Sequence, residues 1–391
     1  MRPLRIAIVA GEESGDQLGA ELLAALRAQY DGELEIAGVG GALMRKEGLN
    51  SLFPLSEIAV MGFSAVLAQL PKIIRLAYRL IDHIVAFKPD ILVIVDSPDF
   101  THPVAKRVRR KLPKLPVIDY VSPSVWAWRS GRARKMTRYI DHVLGILPFE
   151  PEAYKRLAGP TCTYVGHPLV DKIAAIKAQV TSEKTAGSKR LLVMPGSRTG
   201  EVTRLLGPFG EVVSKLKDRL PDLQVEIPAV DHLKQHIQQE TSNWLIQPEI
   251  VSGEAAKFEA FARADAALVA SGTATLELAL WGVPMAVGYK LDPIAKRLKW
   301  LGNVSSIVLP NLILDENIVP EFIDEDCSGL ALSDAVLPLL QQKQDYTVQI
   351  EAFRKLQGLC SIAPYSPADR AAQLVLEYAP KSLATANGGA E

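Results

Sequence analysis

The sequence predicts an α/β fold of two doubly wound domains, and three observations carry that prediction. Short runs rich in Val, Ile and Leu alternate with helical patterns along nearly the whole chain. The runs are continuously apolar, as parallel strands are when helices cover both faces of their sheet. The alternation pauses once, at the polar stretch "AQVTSEKTAGSKR" (178–190), and then restarts. At 391 residues the chain is long enough to build a sizeable core in each half.

In the first half "RIAIVA" (5–10), "ELEIAGVGG" (33–41), "ILVIVD" (91–96), "LPVIDYVSP" (115–123) and "DHVLGILPF" (141–149) read as strands. Helical stretches at 16–29, 65–87 and 101–113 separate them, and "CTYVGHPLVD" (162–171) adds a strand and a turn. The second half repeats the grammar in "LLVMPGSR", "LQVEIPAV", "WLIQPEIVSG", "AALVASGTATLELAL" and "VPMAVGY". These runs give domains at 1–180 and 188–362, followed by 363–391, whose last residues, "KSLATANGGAE", read as a frayed end. Two Rossmann-like domains facing across a cleft make the GT-B arrangement of many nucleotide-sugar glycosyltransferases, although architecture alone does not fix an activity.

Bulk properties narrow the function classes. Lys plus Arg and Asp plus Glu both number 44, so the chain lacks the positive excess of a general nucleic-acid binder. The three cysteines, Cys162, Cys327 and Cys360, lie far apart and read as reduced thiols of a cytoplasmic protein, not as a zinc site. The N-terminus enters a strand without a signal-peptide pattern, and no run of about 18 apolar residues reads as a membrane span.

Open α/β sheets bind ligands at the carboxyl ends of their strands, so the turns there are the candidate sites. "VAGEESGD" (9–16) has the order of a phosphate-cradling turn but carries Glu12, Glu13 and Asp16. With those charges it suits a sugar: Gly11, Ser14 and Gly15 let the backbone approach, while Glu12 or Asp16 holds hydroxyls or assists Asp96. In "SGTATLE" (271–277) nothing acidic precedes Glu277. Ser271, Gly272, Thr273, Ala274 and Thr275 can face a pyrophosphate at a positive helix end, with Glu277 on ribose hydroxyls. An ordinary capped turn is the plainer alternative.

"MPGSRTGEV" (194–202) is built alike, with Gly196 and Ser197 in the turn and Arg198 placed to neutralise a diphosphate. A surface arginine fits the same letters. Asn311 in "LPNLIL" (309–314) fits a nucleotide contact or a turn. Asp96 ends "ILVIVD" as a candidate general base, and Asp99 fits a helix cap. Two carboxylates without a histidine partner make a weak metal site.

Two further stretches point to a surface partner. "YVSPSVWAWRSGRARKMTRYID" (120–141) sets Arg129 and Arg132 beside two tryptophans, as for anionic headgroups or a substrate phosphate. "IAVMGF" (58–63), with Val60, Met61 and Phe63, shows neither helical nor strand alternation, and Lys72, Arg75 and Arg79 follow on one helix face. A solvated basic face and core packing are the plain alternatives.

In order, "VAGEESGD", "VDSPDF" (95–100), "YVSPSVWAWR" (120–129), "VGHPLVD" (165–171), "MPGSRTGEV", "SGTATLELAL" (271–280) and "LPNLI" (309–313) resemble the lipid-A-disaccharide synthase family. Glu13 departs from it, since the family usually has a small residue there. The resemblance implies an inverting GT-B glycosyltransferase, of glycosyltransferase family 19, that needs no metal or other cofactor. Its donor is UDP-2,3-diacylglucosamine and its acceptor 2,3-diacylglucosamine 1-phosphate (lipid X). The products are UDP and the β-1,6-linked disaccharide 1-phosphate of lipid A biosynthesis.

On that resemblance Asp96 is the catalytic base, and Glu12 counts beside it among the catalytic residues as the acid that assists it or holds the sugar. Arg198 and the helix after Ser271 stabilise the leaving UDP, and Asn311 and Glu277 hold the nucleotide. The family sits peripherally on the inner face of the cytoplasmic membrane, which implies anionic lipids as partners. "SPADRAAQLVLEYA" (366–379) fits a C-terminal helix that packs on the first domain or is swapped in a homodimer. The rivals are a peptidoglycan-precursor N-acetylglucosaminyltransferase, a UDP-N-acetylglucosamine 2-epimerase, and a non-catalytic nucleotide-sugar-binding protein at the membrane.

Overall fold

The computed structural model describes residues 2–58, 63–181, 187–292 and 305–380. The chain divides into two compact units, Met1–Pro168 with Ile362–Glu391, and Leu169–Ser361. Among the described residues the first unit holds β1 (Leu4–Ala10), β2 (Leu34–Val39), β3 (Asn50–Ser51), β4 (Ile91–Val95), β5 (Val117–Tyr120), β6 (His142–Gly145) and β7 (Thr161–Tyr164). All are parallel, in the order β3-β2-β1-β4-β5-β6-β7. Helices cover both faces, so every residue of β4 is fully buried, and all five are apolar.

The order reverses between β1 and β4, where Ala10 is in register with Val95. The chain leaves these two strands towards opposite edges, which opens a crevice at their carboxyl ends. The turns beginning at Gly11 and Asp96 meet there. In the second unit β8 (Arg190–Met194), β9 (Gln224–Ala229), β10 (Glu249–Ser252), β11 (Ala266–Val269), β12 (Met285–Tyr289) and β13 (Glu321–Ile323) repeat the plan. They run parallel in the order β10-β9-β8-β11-β12-β13. The reversal falls between β8 and β11, and it brings together the turns after Met194 and after Val269.

The division between units comes earlier than the polar stretch 178–190. The helix Leu169–Lys177 belongs to the second unit: Ile173 is buried, Lys172 pairs with Glu254 at 2.6 Å, and Lys177 lies over the Trp281 ring. The last described helix, Pro367–Leu376, returns to the first unit and packs on the helix Glu13–Gln29. Ala371, Leu374 and Val375 enter that core, and Gln29 Nε2 donates to the Asp369 backbone carbonyl at 3.1 Å.

Candidate active site

In the first unit the crevice is built around Asp96. Asp96 and Ser97 both adopt left-handed backbone conformations, with φ of 54° and 45°. Neither is glycine, so the turn stores strain that its surroundings must offset. The Asp96 amide donates to the Tyr120 carbonyl, and the buried Thr101 hydroxyl donates back to the Asp96 carbonyl at 2.8 Å. The helix Pro98–Lys111 starts immediately after, and Arg132 donates to the Pro98 carbonyl at 2.9 Å.

The Asp96 carboxylate is oriented at both oxygens. Oδ1 accepts from the Ser97 amide at 2.7 Å, and Oδ2 accepts from the Ser14 hydroxyl at 2.9 Å. A β-carbon on Gly11 would collide with the side chain of Ser97. Gly11 is therefore small enough for the two turns to meet. Gly15 likewise packs against the end of β4.

Asp16 is the clearest correction. It is buried, and its carboxylate accepts from the amides of Gly41 (2.7 Å), Leu43 (3.0 Å) and Met44 (3.0 Å). It caps the short helix Ala42–Lys46, a framework role in place of the expected hold on sugar hydroxyls. Glu12 caps the helix Glu13–Gln29 and is exposed at the crevice, as is Glu13 in its first turn. Behind the Asp96 turn lies a buried group that the sequence did not mark. His102 Nε2 is 3.1 Å from Asp119 Oδ2, and its Nδ1 is 3.2 Å from the Tyr139 hydroxyl. The pair ties the Pro98–Lys111 helix to β5.

In the second unit a cavity of about 610 Å³ opens at the carboxyl ends of β8 and β11. Gly196, Ser197 and Arg198 form one wall, and Ser271, Gly272, Thr273 and Ala274 form another. Gly272 caps the helix Thr273–Trp281 with φ of 151°, a conformation closed to other residues. No side chain caps that helix, so its start presents backbone N–H groups and the positive dipole end to the cavity. Arg198 caps the helix Thr199–Lys217, and its side chain is 81% exposed, 3.1 Å from Glu201.

Glu277 faces the cavity one turn along its helix, where Lys257 Nζ lies 3.0 Å from both of its carboxylate oxygens. Lys257 was not marked in the sequence. It sits in the first turn of the helix Glu254–Arg263, after Gly253, which repeats the strand–glycine–helix pattern of the other turns. That pattern was the available signal.

Two expected contacts are turned inward. Thr275 is fully buried and donates to the Gly272 carbonyl. Asn311 is 2% exposed: Nδ2 donates to the Val319 carbonyl, and Oδ1 accepts from the amides of Ile318 and Val319. Asn311 thus closes the loop after the helix Leu309–Leu314, with three of its side-chain hydrogen-bonding positions used inside the loop. Ser271 donates to the Ile307 carbonyl at 2.6 Å while still lining the cavity.

For the surface residues, Val60 and Met61 lie outside the described residues, and so does the side chain of Phe63. Arg132 donates to the Pro98 carbonyl and lies 3.6 Å from Asp99. Arg129 lies over the ring of the exposed Trp128, 4.2 Å from its centroid. Among the described residues no group of three or more His, Cys, Asp or Glu is placed to hold a metal ion.

Comparison with known proteins agrees with this plan. The family model for lipid-A-disaccharide synthetase matches residues 6–373. A lipid-A-disaccharide synthase from Nitrobacter hamburgensis is 46% identical over 379 residues, covering 95% of each chain. One from Bradyrhizobium diazoefficiens is 44% identical over 375 residues, covering 95% of this chain and 96% of the relative. In fold the chain is similar to UDP-GlcNAc 2-epimerase from Neisseria meningitidis bound to UDP-GlcNAc, with TM-score 0.61 and 12% identity over 96% and 99% of the two chains. A GT-B fold therefore carries a sequence whose family is set by its closer relatives: the chain belongs to the lipid-A-disaccharide synthetase family.

Proposed function

We propose that the chain transfers diacylglucosamine from UDP-2,3-diacylglucosamine to the 6-hydroxyl of 2,3-diacylglucosamine 1-phosphate, with inversion. The acceptor oxygen forms a bond to the anomeric carbon as the bond from that carbon to the diphosphate oxygen breaks. The hydroxyl proton passes to Asp96 and the electron pair leaves with UDP. The observation that carries this reading, beside family membership, is the doubly oriented Asp96 carboxylate at the strand reversal of the first unit. A base fixed at both oxygens loses little orientational freedom when a hydroxyl docks.

The second unit is read as the nucleotide-sugar half. Charge builds on the leaving diphosphate, and the start of the Thr273–Trp281 helix together with Arg198 offers positive groups in one cavity. Glu12, exposed in the turn whose Ser14 donates to Asp96, would meet acceptor hydroxyls in this reading.

Both substrates carry acyl chains, so the protein must meet a membrane surface. Leu70, Ile74 and Tyr78 are exposed at helical spacing on the helix Phe63–Phe87, and Arg75 and Arg79 are exposed on the same helix. An apolar stripe edged by cations suits the anionic inner face of the cytoplasmic membrane. No helix among the described residues is long and apolar enough to span it. A homodimer is the remaining partner in this reading, and light scattering of the purified chain checks it.

The test is a two-substrate assay with product analysis. Asp96→Asn should lower UDP release by about 10²–10⁴-fold, the range for losing a general base, with UDP affinity unchanged. Wild-type turnover by that variant removes Asp96 as the base. No UDP release by the native protein removes the activity itself.

A further inference from the structure

We propose that Arg129, seated on the Trp128 ring, is a phosphate subsite for the acceptor. Its guanidinium binds the phosphomonoester beside the Asp96 turn and thereby holds the 6-hydroxyl at the base. The inference rests on the reading that a sugar 1-phosphate is the acceptor at Asp96.

The loop that follows β5 is packed at its base and open at its tip. Ser122 is buried, 2.8 Å from the Tyr154 hydroxyl, and Val125 is buried beside it in sequence. The Trp126 and Phe149 rings meet edge to face, with centroids 5.0 Å apart. Trp128, by contrast, is 52% exposed, and Arg129 is exposed with its guanidinium carbon 4.2 Å from the Trp128 ring centroid. Two residues of the loop hold a left-handed backbone without being glycine, Val121 with φ of 72° and Arg129 with φ of 52°. For a β-branched residue that conformation is a true outlier. Such strain persists only where the surroundings impose it, and it gathers at ligand clamps. Here a packed base imposes it, and two large side chains stand exposed at the tip.

The loop also borders the Asp96 turn. The Asp96 amide donates to the Tyr120 carbonyl at the end of β5, and Arg132 donates to the Pro98 carbonyl at 2.9 Å. The Arg132 amide donates in turn to the Arg129 carbonyl at 2.8 Å, so about one helical turn separates Arg129 from a residue that touches the Asp96 turn. That closeness is what the acceptor requires. Its phosphate and its 6-hydroxyl are carried by the two carbons that flank the ring oxygen, so a cation for the phosphate must stand near the base.

Charge selects the same side. β4 lies between β1 and β5, with Glu12 and Glu13 exposed after β1 and Arg129 exposed after β5. A phosphomonoester is repelled by the acids and meets a fork of N–H donors on the other side. Among the described residues Arg132 has Asp99 at 3.6 Å, whereas no carboxylate pairs with Arg129 and its guanidinium makes no hydrogen bond. Seated on an indole ring, that guanidinium has less torsional freedom to lose when a phosphate binds. Hydrogen bonds to a charged group correspond to a preference for the phosphorylated acceptor on the order of 10–100-fold.

The experiment compares kcat/KM for 2,3-diacylglucosamine 1-phosphate and for 2,3-diacylglucosamine as acceptors, in neutral detergent micelles with the acylated UDP-sugar as donor. Native protein should favour the phosphorylated acceptor by that factor, and less so as salt rises. Arg129→Gln should bring the preference below about 3-fold. Arg129→Lys, which keeps the charge without the fork, should fall between. Arg134→Gln removes the same charge from the exposed face of the helix Gly131–Met136 and should keep the native preference. An unchanged preference in folded Arg129→Gln overturns the proposal. So does an equal loss in Arg134→Gln, which would mark a diffuse field in place of a site. A second arm measures binding to phosphatidylglycerol and to phosphatidylcholine vesicles, where Arg129→Gln should match the native protein. If that variant loses binding to the anionic vesicles but keeps the acceptor preference, Arg129 meets bilayer headgroups and the proposal fails. If native protein releases no UDP with either acceptor, the transferase reading falls and the subsite with it, an outcome distinct from the others.

Discussion

Replacing Asp16 separates a structural acid from a catalytic one. Its carboxylate accepts three backbone N–H groups, from Gly41 and Met44 at Oδ1 and from Leu43 at Oδ2. In Asp16→Ala the amides of Gly41 and Met44 stay buried without an acceptor, while water can reach the partly buried Leu43 amide. At about 1–3 kcal/mol for each orphaned buried donor, with a smaller loss for the third, the variant should be destabilised by about 3–5 kcal/mol. For a unit of this size that corresponds to a fall in melting temperature of roughly 6–20 °C. Asp16→Asn can keep its carbonyl oxygen on Gly41 and Met44 but sets an NH₂ group against Leu43, so it should fall between the two. The assay is thermal and urea unfolding followed by circular dichroism, with UDP affinity and turnover measured well below the transition. Turnover per folded molecule should change little. If Asp16→Ala melts with the native protein but loses turnover, the capping role is wrong and Asp16 acts on a substrate.

Three other outcomes are expected. Ser14→Ala frees Oδ2 of Asp96 and should lower kcat about 10-fold with KM unchanged, since it disturbs the base and not the binding of either sugar; steady-state kinetics decides it. Asn311→Ala breaks three hydrogen bonds inside its loop and should cost about 2–4 kcal/mol of stability without altering the UDP dissociation constant measured by calorimetry. Burial raises the carboxyl of Glu150 from 4.5 to about 7, so folding favours its protonated form, and that contribution is lost as pH rises from 4.5 through 7. Glu150→Gln should therefore be more stable than the native chain at pH 8, by about 2–4 kcal/mol, and nearly equal at pH 4. Urea unfolding at the two pH values checks the sign.

Much of the fold was legible because parallel strands buried on both faces write themselves as unbroken apolar runs. Ile91–Val95 is one, and its carboxyl end announces Asp96 as a residue at a ligand-binding edge. Arg198 and the Ser271–Ala274 turn were legible for the same reason. What the letters could not show is which polar side chain a distant segment engages. Asp16 and its amide partners are brought together by the pairing of β1 with β2, and Asn311 meets Val319 through a loop closure. Lys257 looks like any lysine on a helix until Glu277, on the next helix, is placed against it. The boundary between units was displaced because the helix Leu169–Lys177 precedes the polar linker but packs beyond it.

The acids at the strand ends can nonetheless be told apart by one count. A carboxylate has about four lone-pair sites, and its availability to a substrate depends on how many the protein already fills. Asp16 has three taken by amides and is buried, so it belongs to the framework. Asn311, buried with both its amide nitrogen and its carbonyl bonded to the loop that it closes, is held in the framework in the same way. Asp96 has one amide and one hydroxyl, which fix its plane and leave acceptor positions for a proton. Glu277 has one ammonium across both oxygens, which pairs its charge inside the cavity. The turn at the start of the chain divides in the same way, with Asp16 holding the helix Ala42–Lys46 and Ser14 donating to Asp96.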